Sequence, residues 1–512
     1  MKLFLALAAL FPLASLSHGA EKPNIVVILA DDLGYGDVRC MNPDKGKIAT
    51  PNIDRMAAQG MLFTDAHSTS AVCTPTRYSI LTGRYNWRST LQSGVLGGMS
   101  PPLIAPDRLT VAEMLRRNGY TTACVGKWHL GMTMPEPLAN GRIADSPVTR
   151  GFDRFFGISA SLDMPPYAWI DNDRFTVPPT DTKELYQGRK GPAAPDFTAE
   201  AVLPTLGDKA IEWIRANKDR PFFLYLPLTA PHTPLNPTPE WRGKSGLGSY
   251  ADFVMQTDST VGRVLGAIDD AGISENTLVV MTSDNGCAPY AGASTEVDPM
   301  PHALTDIKTL EAKGHFPSAH LRGYKSDLWE GGHRVPFIVR WPGKVAAGSR
   351  SARMACQVDL FATCADLIGA KVPADAAEDS FSLLPILKGS DKPVRETLVN
   401  HSITGRFAIR EGHWKLALCP GSGGWSKAPQ APASGKIPPV QLYNLSDDPG
   451  EANNLADKHP EIVARLTEKV EALVAKGRST PGPDRSNDVQ VVIRKEKENN
   501  GKKPKKDKAT KP

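Results

Sequence analysis

Cysteine is scarce in this chain, which has seven among its 512 residues. So few cysteines exclude a small disulfide-held scaffold, and an odd number leaves at least one thiol unpaired or with a separate chemical fate. The chain also lacks an internal repeat, and its 41% hydrophobic and 22% charged residues exclude a fibre or a disordered chain. Its length suits one large core with a smaller companion domain.

Long apolar runs are also absent, since nothing after the first twenty residues is apolar enough to span a bilayer as a helix. Those first residues have the pattern of a secretory signal peptide. Met1 and Lys2 give a positive start, residues 3–13 form a short apolar run, and residues 17–20 are mostly small. We expect cleavage there and a secreted or periplasmic protein without a stable membrane span; the alternative is an uncleaved anchor.

An excess of positive charge is missing from the body of the chain. The net charge of +5 is carried by the C-terminus, where nine Lys or Arg from Arg494 onward stand against Glu496, Glu498 and Asp507, a local charge of +6. The rest is close to neutral, which gives no support for a nucleic-acid partner. Residues 486–512 are predicted to be a basic, disordered tail.

Several apolar, β-branched runs end abruptly in polar residues, a pattern typical of buried strands. They are residues 24–30, 121–125, 222–226 and 277–281. Helical patterns with capping residues, such as Thr110 with Glu113, are predicted at residues 50–60, 110–119, 250–272 and 359–369. The alternation predicts an α/β fold, in which helices flank a mostly parallel central sheet and ligands bind at the carboxyl ends of its strands.

The remaining segments divide the chain. Residues 131–195 and 286–321 are predicted to be irregular and to form walls of a substrate cleft; the alternative is that they are surface loops with no part in the site. Short strands at residues 407–410 and 413–418, a turn at 447–450 and a helix at 460–477 predict a small C-terminal α+β domain. The predicted organisation is a signal peptide at 1–20, a catalytic domain at 21–390, the α+β domain at 391–485 and the tail at 486–512.

The strongest chemical signal surrounds Cys73. This cysteine stands just ahead of a predicted helix start, and Arg77 follows four residues later. A helix N-terminus and a nearby guanidinium create a positive field, which favours an anionic thiolate or an anionic adduct. The alternative is an inert buried cysteine, which is also our interpretation of Cys124 in a predicted strand.

The pattern Cys73-x-Pro75-x-Arg77, followed by Leu-Thr-Gly-Arg at residues 81–84, resembles the signature of the type I sulfatase family. A second segment at residues 119–129, ending in Gly-Lys-Trp-His, resembles that family as well. The resemblance implies an alkaline-phosphatase-like core. It also implies that a formylglycine-generating or sulfatase-maturing enzyme oxidises Cys73 to formylglycine.

Four oxygen donors follow two of the predicted strands. They are Asp31, Asp32, Asp284 and Asn285. Carboxylate and amide oxygens suit a hard divalent cation, although Asp-Asp and Asp-Asn-Gly also occur simply as turns. The resemblance implies that all four, together with the group derived from Cys73, bind Ca²⁺.

Five residues acquire catalytic roles through the resemblance. Lys127 would contact the sulfate and the nucleophile, and His129 would remove a proton from the covalent intermediate. His232 and Lys325 would hold the sulfate and assist the leaving alcohol, while Arg77 would steady the aldehyde hydrate. Arg322 could be mistaken for Lys325, but Lys325 stands at the expected distance before the Trp-Glu-Gly-Gly sequence at residues 329–332.

The resemblance thus implies a sulfatase that hydrolyses sulfate monoesters of a sulfated carbohydrate. Candidate sugar contacts are Asp163, Trp169, Arg174, His315, His320 and Arg322. One alternative is a phosphate or phosphonate ester hydrolase of the same superfamily, because the same groups suit any tetrahedral oxyanion. Another is an inactive carbohydrate-binding relative. Every core position that we can match carries the expected residue type, which argues against this alternative.

Overall fold

The computed structural model describes residues 22–139, 141–293, 306–427 and 438–494. The predicted signal peptide and residues 495–512 of the predicted tail lie outside these ranges. Residues 486–494 of that tail are described and contact the body of the protein, since Asp488 pairs with Arg84 and Asn487 accepts a hydrogen bond from Arg88, so disorder does not begin at residue 486. Within the part of the chain that is described, no helix is long and apolar enough to cross a membrane.

The described residues form strands and helices in alternation. The strands are β1 Asn24–Ala30, β2 Met61–Phe63, β3 Ala66–His67, β4 Thr121–Lys127, β5 Arg154–Ile158, β6 Ile170–Asp171, β7 Arg174–Phe175, β8 Asp181–Glu184, β9 Lys190–Ala193, β10 Phe222–Pro227, β11 Thr277–Ser283, β12 Phe337–Arg340, β13 Ser349–Ser351, β14 Ala355–Cys356, β15 Thr397–His401, β16 Phe407–Glu411, β17 Trp414–Ala417 and β18 Gln441–Asn444. The α-helices are α1 Pro51–Ala58, α2 Cys73–Thr82, α3 Val111–Arg117, α4 Val202–Asn217, α5 Ser249–Asp270, α6 Lys308–Ala312, α7 Glu330–His333, α8 Leu360–Leu367, α9 Leu384–Leu387 and α10 Pro460–Lys476. Short 3₁₀ helices occur at Tyr35–Asp37, Arg39–Met41, Asn86–Arg88, Pro147–Arg150, Ser274–Asn276 and Gln357–Asp359.

A ten-stranded sheet with the order β13-β2-β12-β11-β1-β10-β4-β5-β6-β7 forms the centre of the molecule. Its five middle strands, β11 to β5, are all parallel, and the antiparallel pairs lie towards the two ends of the sheet. The four strands predicted from apolar runs are the central ones. The predicted α/β fold with a mostly parallel core is therefore confirmed.

Side chains along each central strand alternate between the two faces of the sheet, and both faces are buried. Val26 and Ile28 of β1 point into a core formed with α1, α4 and α5, whereas Ile25, Val27 and Leu29 point into a second core formed with α2, α3, α8 and α9. Because these strands are buried on both faces, their sequences are continuously apolar. The two layers of helices leave the carboxyl end of the sheet as the edge where polar groups gather.

The prediction of irregular structure at residues 131–195 is wrong in part. Five strands, β5 to β9, fall in that stretch, and β5 extends the central sheet by pairing with β4 in parallel. β6 and β7 have two residues each, too short to show a periodicity, and they continue the sheet as an antiparallel edge. The second stretch, 286–321, contains α6, and its residues 294–305 lie outside the described ranges.

The C-terminal part folds as a separate antiparallel sheet with the order β15-β16-β17-β18. Helix α10 packs on it through Leu466 and Val470, in an apolar cluster that also contains Tyr85 and Trp87 from the larger part of the chain. Gly477 ends α10 with a φ of 70°, as its place after the helical pattern predicts. A small C-terminal α+β unit is confirmed, and the domain boundary at residue 391 stays a prediction.

Candidate active site

Four neighbouring parallel strands deliver the predicted polar residues to one edge of the sheet. Asp31 and Asp32 follow β1, and Asp284 and Asn285 follow β11. Lys127 is the last residue of β4, His129 lies two residues beyond it, and His232 follows β10. All of these side chains are buried. Residues far apart in sequence thus converge because their strands end together.

Cys73 is the first residue of α2, as predicted, and lies beside this edge. One turn later, Arg77 donates hydrogen bonds from Nε and Nη2 to Asp284 Oδ2, at 3.0 and 2.7 Å, and from Nη1 to the carbonyl oxygen of Lys127, at 3.0 Å. Burial opposes its charge, but Asp284 and Asp31 outweigh burial and raise the pKa of Arg77. Arg77 therefore stays charged and fixes α2 to the ends of β4 and β11.

The prediction that Cys73 favours a thiolate is wrong. Burial raises the pKa of this thiol, and the negative charges of Asp284 and Asp31 raise it further. Lys127 and Lys325 lower it, but they do not offset burial. A raised pKa disfavours the thiolate, which is the nucleophilic form of cysteine.

Lys127 is held between two side chains. Its Nζ donates to Asp31 Oδ2 at 2.6 Å and to Ser161 Oγ at 2.9 Å. Ser161 Oγ also lies 3.4 Å from each ring nitrogen of His232. The sequence analysis missed Ser161, which follows β5. The same pattern of an apolar strand ending in polar residues, Phe-Phe-Gly-Ile followed by Ser-Ala-Ser, was available to find it.

Lys325 contacts Asp32, whereas Lys127 contacts Asp31. Lys325 Nζ donates to Asp32 Oδ2 at 2.8 Å, and Asp32 Oδ1 accepts a hydrogen bond from Asn285 Nδ2 at 2.7 Å. Burial by itself would lower the pKa of Lys325, but Asp32 raises it well above its usual value, so the ammonium persists. Arg322 lies elsewhere, with its guanidinium carbon 3.7 Å from the centre of the Trp329 ring.

Two histidines have one ring nitrogen fixed by a backbone carbonyl. His129 Nε2 donates to Leu96 O at 2.7 Å, which leaves Nδ1 as an acceptor without a hydrogen-bond partner among the described residues. Burial and the charges of Lys127 and Arg77 hold the pKa of His129 well below its usual value, so it is neutral. His232 Nδ1 donates to Thr233 O at 2.5 Å, and its Nε2 lies 3.7 Å from Asp32 Oδ2.

The oxygen atoms at this edge suit a hard cation. Asp31 Oδ1 and Asn285 Oδ1 are buried and have no hydrogen-bond partner in the described ranges. Burial would raise the pKa of Asp31, but Lys127, His232 and Arg77 outweigh burial and lower it, which keeps the carboxylate ionised. A buried carboxylate or amide oxygen without a hydrogen-bond partner is costly unless a cation binds it. This donor set therefore fits Ca²⁺.

The six candidate sugar contacts differ in their contacts and in their exposure. Three contact other side chains of the protein. His315 Nε2 lies 2.9 Å from Asp37 Oδ1, Arg322 packs on Trp329, and Trp169 stacks on Phe156. His320 packs edge-on against Tyr35, and Arg174 is an exposed residue of β7. Asp163, two residues after Ser161, is buried, and its Oδ1 has no partner among the described residues. Of the six, only Asp163 has a buried side-chain atom without a hydrogen-bond partner among the described residues.

Comparison with known proteins adds independent findings. The sequence model of the family described as Sulfatase matches residues 23–370, and that of the N-sulphoglucosamine sulphohydrolase C-terminal region matches residues 324–418. The first match covers the central sheet, and the second begins just before Lys325 and ends after β17. Both therefore include residues at the edge described above.

Curated relatives match over nearly the whole chain. An N-acetylgalactosamine-6-O-sulfatase of Bacteroides thetaiotaomicron is 36% identical over 89% of this chain and 94% of its own length. Human arylsulfatase A is 34% identical over 87% of each chain. A solved structure from work on the metabolism of multiple glycosaminoglycans by Bacteroides thetaiotaomicron has a TM-score of 0.77 and 34% identity, covering 89% of this chain and 99% of the other. The chain therefore belongs to the sulfatase family, within the alkaline-phosphatase-like superfamily, and is a sulfuric ester hydrolase.

Proposed function

We propose that the protein is a secreted or periplasmic sulfatase that hydrolyses sulfate monoesters of a sulfated carbohydrate, through formylglycine made from Cys73 and with a bound calcium ion. The observation that carries the proposal is the buried convergence of Lys127, Lys325, His129 and His232 at the end of the sheet beside Cys73. The carbohydrate class is supported by the relative named N-acetylgalactosamine-6-O-sulfatase.

The calcium ion would be held by Asp31, Asp32, Asp284 and Asn285, together with the group derived from Cys73. Calcium supplies Lewis acidity, which draws electron density from a sulfate oxygen and makes sulfur more electrophilic. The unsatisfied oxygens of Asp31 and Asn285 support this assignment. Arg77 is committed to Asp284 and to the backbone of Lys127, so its part is to fix the ligand set and the start of α2.

Formylglycine supplies a hydrate with two hydroxyls on one carbon, of which one can attack sulfur while the other later allows sulfate to be expelled. A host enzyme must carry out the oxidation of Cys73, because the buried thiol has no oxidant in this chain. The raised pKa of the thiol gives a reason for the modification, since unmodified Cys73 would be a weak nucleophile.

The two lysines would bind the sulfate, and the two histidines would transfer protons. Lys127 and Lys325, each anchored on a carboxylate, would hold the sulfate oxygens as negative charge builds on them. His232, with Nδ1 bound to Thr233 O, presents Nε2 and would give a proton to the leaving alcohol. His129 is neutral and has Nδ1 free to accept, so it would remove the proton from the remaining hydroxyl.

Reaction rates with sulfate and phosphate esters test this function. Protein purified from a host with a maturation enzyme is expected to release sulfate from 6-O-sulfated N-acetylgalactosamine. It should also hydrolyse 4-nitrophenyl sulfate with a kcat/KM at least about 10²-fold above that for 4-nitrophenyl phosphate. A preference for phosphate would indicate a phosphate ester hydrolase instead. Failure to turn over any of these esters, in protein that carries formylglycine, would indicate an inactive carbohydrate-binding relative.

Calcium is expected to stabilise the folded protein. Adding Ca²⁺ to chelator-treated protein at one hundred times Kd should raise the free energy of unfolding by about 2.7 kcal/mol, because the ion binds only the folded state. Chemical denaturation with and without Ca²⁺ measures this difference. Asp31→Asn keeps the side-chain shape but removes a charged ligand, so its response should be much weaker, whereas Asp269→Asn on the surface should respond like the wild type. An equal response in Asp31→Asn would contradict the assigned ligands.

A further inference from the structure

Trp425 is an unusual surface residue. Its side chain is 47% exposed, and among the described residues only Met99 and Val492 are comparably exposed large hydrophobic residues. It lies in the loop that follows β17 of the C-terminal sheet. Single exposed apolar residues are common on protein surfaces, so Trp425 is of interest because of the residues that surround it.

The loop that carries Trp425 is fixed to the segment that follows Lys325. Trp425 N donates to Ser326 Oγ at 2.9 Å, and Leu328 N donates to Ser422 O at 2.7 Å. Gly424 lies so close that an added Cβ would stand 2.4 Å from Ser326 O. Ser326 N in turn donates to Ala71 O at 2.7 Å, two residues before Cys73. Trp425 is thus held rigidly against the backbone of the active site.

The ring of Trp425 packs beside that of Tyr290. Their centroids are 5.9 Å apart and their planes are inclined by 43°. Tyr290 lies three residues after Cys287, whose carbonyl oxygen accepts a hydrogen bond from Lys325 N at 2.9 Å. Burial is the main cause that raises its pKa, Lys325 lowers it, and Asp32 and Asp163 raise it further. The two rings therefore form an aromatic surface that extends from Lys325 to the solvent.

Asp163 supplies a polar group near that surface. Its side chain is only 5% exposed, Oδ2 lies 3.1 Å from Arg189 Nη1, and Oδ1 has no hydrogen-bond partner in the described part of the chain. Asp163 lies two residues after Ser161, whose Oγ is 2.9 Å from Lys127 Nζ and 3.4 Å from each ring nitrogen of His232. A buried carboxylate oxygen left unpaired costs stability that a donor from a ligand would recover.

We propose that Tyr290, Trp425 and Asp163 form the subsite for the sugar ring, with the two aromatic rings stacking on its C–H face and Asp163 Oδ1 accepting a hydrogen bond from one of its hydroxyls. A pyranose has an apolar C–H face and a rim of hydroxyl donors, and the subsite offers a partner to each. This inference rests on the proposed function, and it identifies residues that select a sugar ester over a simple one.

Kinetics on two esters tests the subsite. The substrates are 6-O-sulfated N-acetylgalactosamine and methyl sulfate, which has no ring. Trp425→Ala is expected to lower kcat/KM for the sulfated sugar about tenfold, as the loss of one stacking contact predicts. Asp163→Ala is expected to lower it at least about tenfold, because the sugar loses a charge-assisted hydrogen bond. Both variants should keep the wild-type kcat/KM for methyl sulfate and the wild-type inhibition by inorganic sulfate.

Controls separate the possible failures. Trp425→Phe should recover most of the activity on the sugar, and Met99→Ala, which removes an equally exposed side chain, should have no effect. Thermal unfolding of each variant identifies any that fail to fold, and Asp163→Ala carries the test if Trp425→Ala does not fold. Equal losses on both esters, or unchanged rates on the sugar in Trp425→Ala and Asp163→Ala, would overturn the subsite. Absence of sulfate release by the wild type would instead overturn the proposed function.

Discussion

Replacing Cys73 with alanine is expected to lower the rate of sulfate release by at least about 10⁴-fold, because enzymes that lose their covalent nucleophile retain only the catalysis of the remaining groups. Lys127, Lys325 and His232 would still bind sulfate in this variant. No side chain could form the hydrate, and only water could attack sulfur. The measurement is the initial rate of sulfate release at saturating substrate, from protein matured in the same host.

The fold should survive this change, since Cys73 is the first residue of α2 and alanine is favourable in helices. The matched control is Cys124→Ala, which removes another buried thiol, from β4, without touching the predicted nucleophile. It should cost some stability and leave the rate per folded molecule within about twofold of wild type. Similar activity in Cys73→Ala and Cys124→Ala would exclude Cys73 as the source of the nucleophile.

Replacing Lys415 with methionine is expected to lower the free energy of unfolding by about 3–5 kcal/mol, the usual cost of removing one partner from a buried ion pair. Lys415 lies on β17, and its Nζ is 2.9 Å from Glu330 Oε1 and 2.8 Å from Glu451 Oε1. All three side chains are at most 1% exposed. Burial, followed by the charge of Glu330, raises the pKa of Glu451 to about 7 even with Lys415 present.

Lys415 therefore joins the C-terminal sheet to α7, which begins five residues after Lys325. Chemical denaturation measures the loss. Lys469→Met is the control, because Lys469 pairs with Glu411 at a partly exposed position, where an ion pair contributes less than about 1 kcal/mol. Equal losses in Lys415→Met and Lys469→Met would show that the buried network adds nothing beyond an ordinary surface pair.

The sequence predicted the central strands because burial on both faces makes them continuously apolar. It predicted the placement of Asp31, Asp32, Asp284 and Asn285 because each follows one of those strands, and parallel strands end at a common edge. The Cys73 segment identified the family because two motifs occur in order. These predictions depend on local patterns that a single segment carries.

What the sequence could not predict depends on partners that are distant in the chain. Ser161 follows β5, a strand of five residues, and its importance comes from its contacts with Lys127 and His232. Asp163 was predicted only as one of six candidate sugar contacts, and its pairing with Arg189 and its unpaired Oδ1 distinguish it from the other five. Trp425 belongs to the C-terminal unit, and no local pattern places it beside Tyr290. The thiolate prediction failed because a helix N-terminus is visible in the sequence, whereas complete burial beside two carboxylates is not.

The mass of the peptide spanning residues 56–77, cut from protein purified from its native host, tests the central claim most directly. Cleavage after Arg55 and Arg77 isolates Cys73 as the only cysteine in that peptide. The account predicts that active protein has lost one sulfur and two hydrogens and gained one oxygen at Cys73, the composition of formylglycine. An unmodified thiol in protein that turns over sulfate esters with Ca²⁺ bound would contradict the proposed nucleophile.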